Sequence, residues 1–480
     1  MKRRAVVAFA IVPLASCATI AGLEDHELSP LQSDAAAGGD AQAEDASSCV
    51  ACASGYACTD GRCGNEVTEV AASSTHACAL LRGGEVWCWG KSQLGALGVS
   101  ASTTPLRCGN YACRPTPALV VGVANVQHIA LADDATCVVL MNGTVSCWGR
   151  NARGALGHDP ATDPMCPRDE TPDAGSSNTD PCTTTPSLVA TGNVAVAEIV
   201  GGSGGACTRA VDGSVSCWGD DYFAEGGVFP APLAGLVATP ARISGIAGTP
   251  TAIAMSGAYG HGCAIGFFGN VYCWGSNFAG ELGHPTAQSG DDACIFGIAC
   301  NPGAQGAMNA SGTAVSVGQK SSCALHGDGT VTCWGANDSA QLGNGASVDA
   351  DAHPMPAAVS GLANIVSIEQ RFNTGFAIDG AAHVWSWGQS TNGALGVATA
   401  SIACAAGTCV PKPVMVPALA GAVQIASASA GGVALKSDGT VWTWGLNDVG
   451  QLGHVPGAGG DITCPGGPCR ESPSQLQGLP

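Results

Sequence analysis

Residues 323–335 read CALHGDGTVTCWG, and close variants of this phrase recur along the chain. The stretch holds a turn signal, Gly327-Asp328-Gly329, between two short runs of β-type residues. A three-residue hairpin loop ends in a left-handed residue, a position that favours Gly because it lacks a Cβ. With Gly329 there, Leu325 faces Val331, Ala324 faces Thr332, and Cys323 faces Cys333, within reach of a cross-strand disulfide.

The same register holds in four other cysteine-bearing copies. Cys78 and Cys88 flank Arg82-Gly83-Gly84, and Cys137 and Cys147 flank Met141-Asn142-Gly143. Cys207 and Cys217 flank Val211-Asp212-Gly213, and Cys263 and Cys273 flank Phe267-Phe268-Gly269. In two further copies both cysteines are replaced together: Phe376 faces Ser386, and Val433 faces Thr443. Each copy ends in Trp-Gly, at Trp89, Trp148, Trp218, Trp274, Trp334, Trp387 and Trp444. The three remaining tryptophans (Trp87, Trp385 and Trp442) lie two residues earlier in their own copies, so every Trp belongs to the repeat.

A unit of 53 to 70 residues with several short strands predicts an all-β, seven-bladed β-propeller. A lone blade cannot keep both faces wet, so neighbours must stack and share a core. Composition agrees: 69 glycines suit many tight turns, and charged residues make up only 11% of the chain. The last repeat stops at PSQLQGLP, where other repeats pass into a strand such as NIVSIEQ. The corresponding strand stands at the front, as EVTEVAAS (66–73), and pairing of the two ends is expected to close the ring.

The segment ahead of the repeats reads as three parts. Residues 1–16 have a basic start (Lys2, Arg3, Arg4) and an apolar run, the pattern of a secretory signal. Residues 17–48 form an acidic, low-complexity stretch expected to act as a disordered tether. Residues 49–65 hold Cys49, Cys52, Cys58 and Cys63, which fit a small knot of two disulfides or a zinc site. Exported context and the lack of two CxxC halves favour disulfides, with connectivity open. The propeller then occupies 66–480.

Of the 25 cysteines, ten more form local pairs after the hairpins: Cys108 with Cys113, Cys166 with Cys182, Cys294 with Cys300, Cys404 with Cys409, and Cys464 with Cys469. Cys17 is the one left over, and this density suits an oxidising compartment.

The pattern CALxxDGTVxCWGxNxxGQLG resembles the repeat of the RCC1 (regulator of chromosome condensation) family, most clearly at 323–343 and 433–453, and over about 67–480 in all. The resemblance implies a seven-bladed propeller. The family's nucleotide-exchange and chromatin roles do not carry over, because the chain reads as exported and its formal charge of −19 repels phosphates. Leu14-Ala15-Ser16-Cys17 similarly resembles a bacterial lipobox, implying lipid on Cys17 and, by analogy with Gram-negative lipoproteins, an outer-membrane location; an ordinary signal peptide is the alternative. A lipid anchor would be the chain's only membrane attachment.

No motif of hydrolases, P-loop enzymes or zinc proteases is found, so no enzyme activity, cofactor or metal is expected. His158, His284 and His454 each follow Leu-Gly and read as solvated turn residues; His76 and His261 occupy a repeat position and read as structural. The loop 158–186 is rich in Asp, and solvation is preferred to Ca²⁺ binding. The expected role is recognition of another protein or a surface polymer by a monomeric chain, with an inhibitor role as a sub-case. The alternatives are a carbohydrate-active enzyme with its site in the funnel, or an architectural envelope protein. The second cysteine pairs all occupy one repeat position, so their loops should emerge on one face. Asn110, Tyr111, Ile295, Phe296 and Ile298 are the candidate anchors there, unless they fold back over their own blades.

Overall fold

The computed structural model describes residues 58–59, 62–99, 106–168, 179–222, 224–227, 235–256, 260–286, 291–294, 297–405 and 407–480. The signal segment, the tether, Cys17, Cys49 and Cys52, and the candidate anchors Ile295 and Phe296, lie outside them. Cys58 and Cys63 face each other across a small two-stranded pair, Cys58–Thr59 with Arg62–Cys63, and Cys63 is disulfide-bonded.

The repeats form a seven-bladed, all-β propeller. Blade 5 shows the plan: an inner strand Ala314–Val317, then Ser321–Leu325, Val331–Gly335 and an outer strand His353–Ala358, in that spatial order. Its hairpin register pairs Leu325 with Val331, Ala324 with Thr332 and Cys323 with Cys333. The His326 N–H donates to the Thr330 carbonyl. Counting back from that hydrogen-bonded pair puts 323–333 at a non-hydrogen-bonded position, where strands approach most closely. The Cα atoms of all five hairpin disulfides accordingly stand 4.1 Å apart. Gly329 takes the left-handed loop position at φ 78°. The Asp-Gly-Thr signal also has a local cause: Asp328 accepts hydrogen bonds from both the N–H and the hydroxyl of Thr330.

Blades 1, 2, 4, 6 and 7 add a short fifth strand outside the fourth, and these are the blades with a second disulfide. Blades 3 and 5 lack that pair and keep four strands. The insertion is therefore a second small hairpin on the blade's outer edge.

Seven hydrophobic clusters occupy the seven interfaces between blades, and each contains one repeat tryptophan. All seven indoles are at most 1% exposed. Each indole N–H donates to a carbonyl of the preceding blade, at the residue before the second Leu-Gly position: Trp148 to Ala96, Trp334 to Glu281, Trp444 to Ala394. A Trp is required because one side chain must fill the interface and satisfy a buried carbonyl.

The ends of the chain do not pair as strands, contrary to expectation. Val67–Ala72 pairs with His76–Leu81 inside blade 1, and the last blade takes all its strands from 422–475. The sequence repeat and the structural blade are in phase, so no strand needs to be lent. Closure uses the ordinary interface instead: Trp89 donates to the Gln451 carbonyl, and Val67 and Val70 pack with Val433 and Leu476. The Gln424 amide also grips the N–H and carbonyl of Val70.

Candidate functional site

Antiparallel order gives the disc two unlike faces. One carries the tight hairpin loops. The other carries the turns from inner to second strand, the Leu-Gly loops and the disulfide-stapled edge hairpins. The central channel runs between them, a cavity of about 240 Å³ lined by all seven inner strands.

The loops of the stapled face are held by their own side chains. In blade 7 the Asn447 Oδ1 accepts from the Leu452 N–H, and the Gln451 Oε1 accepts from the Val449 N–H. Blade 5 repeats both bonds with Asn337 and Gln341. This is what the Asn and Gln of the repeat phrase do.

The three histidines after Leu-Gly are not solvated turn residues. His158 bonds Asp163 at 2.8 Å and His454 bonds Asp461 at 2.7 Å, while the same carboxylates accept from Asn151 and Asn447. In blade 4, His284 is buried, 3.6 Å from Asp291, which accepts from Asn277. The Asp that completes each group lies five to seven residues downstream at no fixed spacing, which hid the pattern. Burial works to raise the Asp461 carboxyl, yet hydrogen bonds from Asn447 and His454 hold it below the ordinary range. Each group fastens a loop to its own blade.

His76 and His261 are fully buried and structural, joining adjacent blades. His76 bonds the Thr136 hydroxyl, which donates to Ala96 O, and that carbonyl also accepts from Trp148. His261, Ser322 and Glu281 O repeat the arrangement between blades 4 and 5. Burial pushes His76 down to about 4 and His261 down to about 3, so both are neutral. Among the described residues no cluster of His, Cys, Asp and Glu could hold a metal ion.

Of the candidate anchors, Tyr111 is half-buried and its ring lies 4.9 Å from Lys91 Nζ of its own blade, so it folds back. Asn110 is exposed, with its carbonyl accepting from Arg107. Ile298 is half-buried. The exposed apolar groups lie elsewhere. Leu106 (60% exposed), Met165 (56%), Ile402 (42%) and Ile462 (50%) each begin a stapled edge strand. They belong to blades 1, 2, 6 and 7, which are consecutive around the closed ring, so they form one arc. Their sequence signal was available: an apolar residue one or two positions before the first cysteine of the loop pair. The opposite face carries Phe267 and Phe268 on the blade 4 hairpin, and Met141 and Val211 on the hairpins of blades 2 and 3.

At the channel mouth on the stapled face, Lys91 pairs with Asp134 at 3.3 Å and Asp133 accepts from the Ser74 hydroxyl. Burial pushes the Asp133 carboxyl up to about 6, against the pull of Arg371.

This architecture has known relatives. The profile described as the regulator of chromosome condensation (RCC1) repeat matches residues 67–96, 313–341 and 422–451, and a second of the same description matches 438–480. The chain is an RCC1-like repeat protein. Among solved structures, the RCC1-like fold matches yeast RCC1 (Prp20), in a complex with Kap60, with a TM-score of 0.64 at 18% identity, covering 82% of this chain and 83% of that one. It matches human WBSCR16 with a TM-score of 0.63 at 17% identity, covering 82% and 94%. The ultraviolet-B receptor UVR8 of Arabidopsis thaliana is 24% identical over 335 residues, 70% of this chain and 68% of the relative. The human E3 ubiquitin-protein ligase HERC2 is 28% identical over 198 residues, 40% of this chain but only 4% of that much longer protein.

Proposed function

We propose that this RCC1-like propeller is an exported, lipid-anchored binding module, without catalysis of its own, that takes a protein partner on its stapled face. The apolar arc of Leu106, Met165, Ile402 and Ile462 carries the reading. Four apolar side chains stand in water on strands that disulfides pre-organise, which lowers the ordering cost of docking. Isolated exposed apolar residues are ordinary, but here one begins the stapled edge strand in each of four consecutive blades; Leu106, Ile402 and Ile462 face the second cysteine of the pair, and Met165 is offset by one to face Pro181. A related propeller, yeast Prp20, is described as binding Gsp1p and histones, so the scaffold is compatible with protein recognition. The acidic balance, 37 Asp and Glu against 18 Lys and Arg, argues against nucleic acid and selects a partner that is not itself strongly acidic. Export is supported by ten disulfides among the described residues, and anchoring by the lipobox-like Leu14–Cys17.

The test is capture from envelope extract by the full chain beside Leu106→Asp/Ile462→Asp. A partner held by the wild type and lost by the variant supports the arc. Equal capture by both moves the site off it. Radiolabelled palmitate incorporated by the wild type and not by Cys17→Ser checks the anchor.

A further inference from the structure

Six of the seven inner strands carry uncharged, mostly small side chains at two positions along the channel wall. Level with the hairpin cysteine row these are Ala71, Ala130, Val200, Ala254, Ser316 and Ala426. Two residues on they are Ser73, Ala132, Gly202, Ser256, Gly318 and Ala428. Blade 6 alone has Glu369 and Arg371 there. Nothing in the repeat requires an ion pair of positions at this level, since six blades pack without it. Residues two apart on a strand point the same way, so both side chains face one side of the strand at the channel wall.

Most other charges near the channel are paired; Asp133, which accepts from the Ser74 hydroxyl and feels the pull of Arg371, makes no ion pair among the described residues. Glu69 bonds His128 at 3.2 Å, Glu198 bonds Arg209 at 2.7 Å, and Lys91 bonds Asp134. Glu369 accepts the N–H and hydroxyl of Ser427 through one oxygen. Arg371, like Asp133, makes no ion pair among the described residues. Its Nε is buried without a hydrogen-bond partner, and its two Nη atoms reach only the carbonyls of Leu131 and Gly201, each at 3.4 Å. Among the described residues no carboxylate comes within 4 Å of it, although Asp133 and Glu369 lie near enough to feel its charge. A guanidinium taken partly out of water is costly unless an oxyanion meets its planar fork.

We propose that Arg371 and Glu369 make the central channel a binding site for a small α-hydroxy or α-amino carboxylic acid. Arg371 offers only donors and suits a carboxylate in bidentate contact. Glu369, beside it, offers an acceptor for the ligand's hydroxyl or ammonium group. The cavity of about 240 Å³ has room for a molecule of that size. The site is separate from the outer arc and stands or falls independently of it.

Calorimetric titration of the full chain tests this with L-lactate, L-alanine and L-serine, and with lactamide and alaninamide as neutral counterparts. The expected result is saturable 1:1 binding of at least one acid, with its amide weaker by about tenfold or more. Arg371→Gln abolishes it, and Glu369→Gln weakens it. Arg371→Lys, which keeps the charge but not the fork, binds more weakly than wild type and serves if the Gln variant does not fold. Absence of binding by every acid, equal binding of acid and amide, or wild-type binding by Arg371→Gln or Arg371→Lys overturns the proposal.

Discussion

Asp221→Asn should stabilise the protein, and increasingly so as the pH rises. Asp221 occupies the loop position held by Asn151, Asn277, Asn337 and Asn447 in other blades. It keeps half the asparagine's work, accepting the Gly226 N–H at 2.7 Å, as Asn447 accepts Leu452 N. Its second oxygen is buried with no hydrogen-bond partner, where the asparagines donate. Burial, with Asp220 adding to it against the Gly226 bond, pushes the carboxyl up from 3.8 to about 7. The folded state therefore retains a proton that the unfolded chain has already lost between pH 3.8 and 7. Stability falls as pH rises through that window and levels off above it. At ~1.36 kcal/mol per unit, a shift of about three units amounts to roughly 4 kcal/mol lost by neutral pH. An amide does not titrate, so the Asn variant escapes this loss. Denaturant unfolding with disulfides intact, from pH 4 to pH 8, should show the two proteins nearly equal at the acid end and separated by about 2–4 kcal/mol at the alkaline end. Parallel curves would refute the reasoning, because they would mean that Asp221 ionises in the fold without penalty. The reciprocal change, Asn337→Asp, should create a loss of the same sign in blade 5.

Trp89→Phe and Trp334→Phe should cost similar stability, about 1–3 kcal/mol each, since each leaves a buried carbonyl without its indole donor; a silent Trp89→Phe in melting experiments would show that the closing interface contributes nothing. His76, neutral in the fold with its pKa near 4, should make stability rise with pH from about 4 to 6.5, and His76→Gln should flatten that rise in a pH series of melting temperatures. Replacing Cys323 with Val and Cys333 with Thr reproduces the natural Val433–Thr443 pair, so the fold should persist with a loss of about 2–3 kcal/mol; failure to fold would show the hairpin staple to be essential. Thiol labelling of the denatured, unreduced protein should find none of the twenty cysteines at 78–88, 108–113, 137–147, 166–182, 207–217, 263–273, 294–300, 323–333, 404–409 and 464–469 free.

The fold was largely legible because its unit is local. A hairpin register follows from the loop it closes, so the facing of Cys323 and Cys333 needed only the position of Gly329. Phe376 opposite Ser386 and Val433 opposite Thr443 followed by the same count. The site was much less legible. Tyr111, an aromatic in a stapled loop, had the look of an anchor, but Lys91 beneath its ring draws it onto the blade. His158 and His454 looked solvated because their carboxylate partners sit at variable distances along a loop whose path the sequence does not specify.

By itself the sequence determined the number of blades, the strand pairing within each hairpin and the cysteine partners of the repeats, because these depend on contacts between residues a few positions apart. Tertiary structure decided how the ring closes, with Trp89 meeting Gln451 across 362 positions of chain rather than by a lent strand. It decided that Leu106, Met165, Ile402 and Ile462 fall on one arc, and that Arg371 of blade 6 reaches carbonyls of blades 2 and 3 across the channel. Such relations arise only when seven similar units are placed around one axis, because closing the circle brings together residues that no local pattern connects.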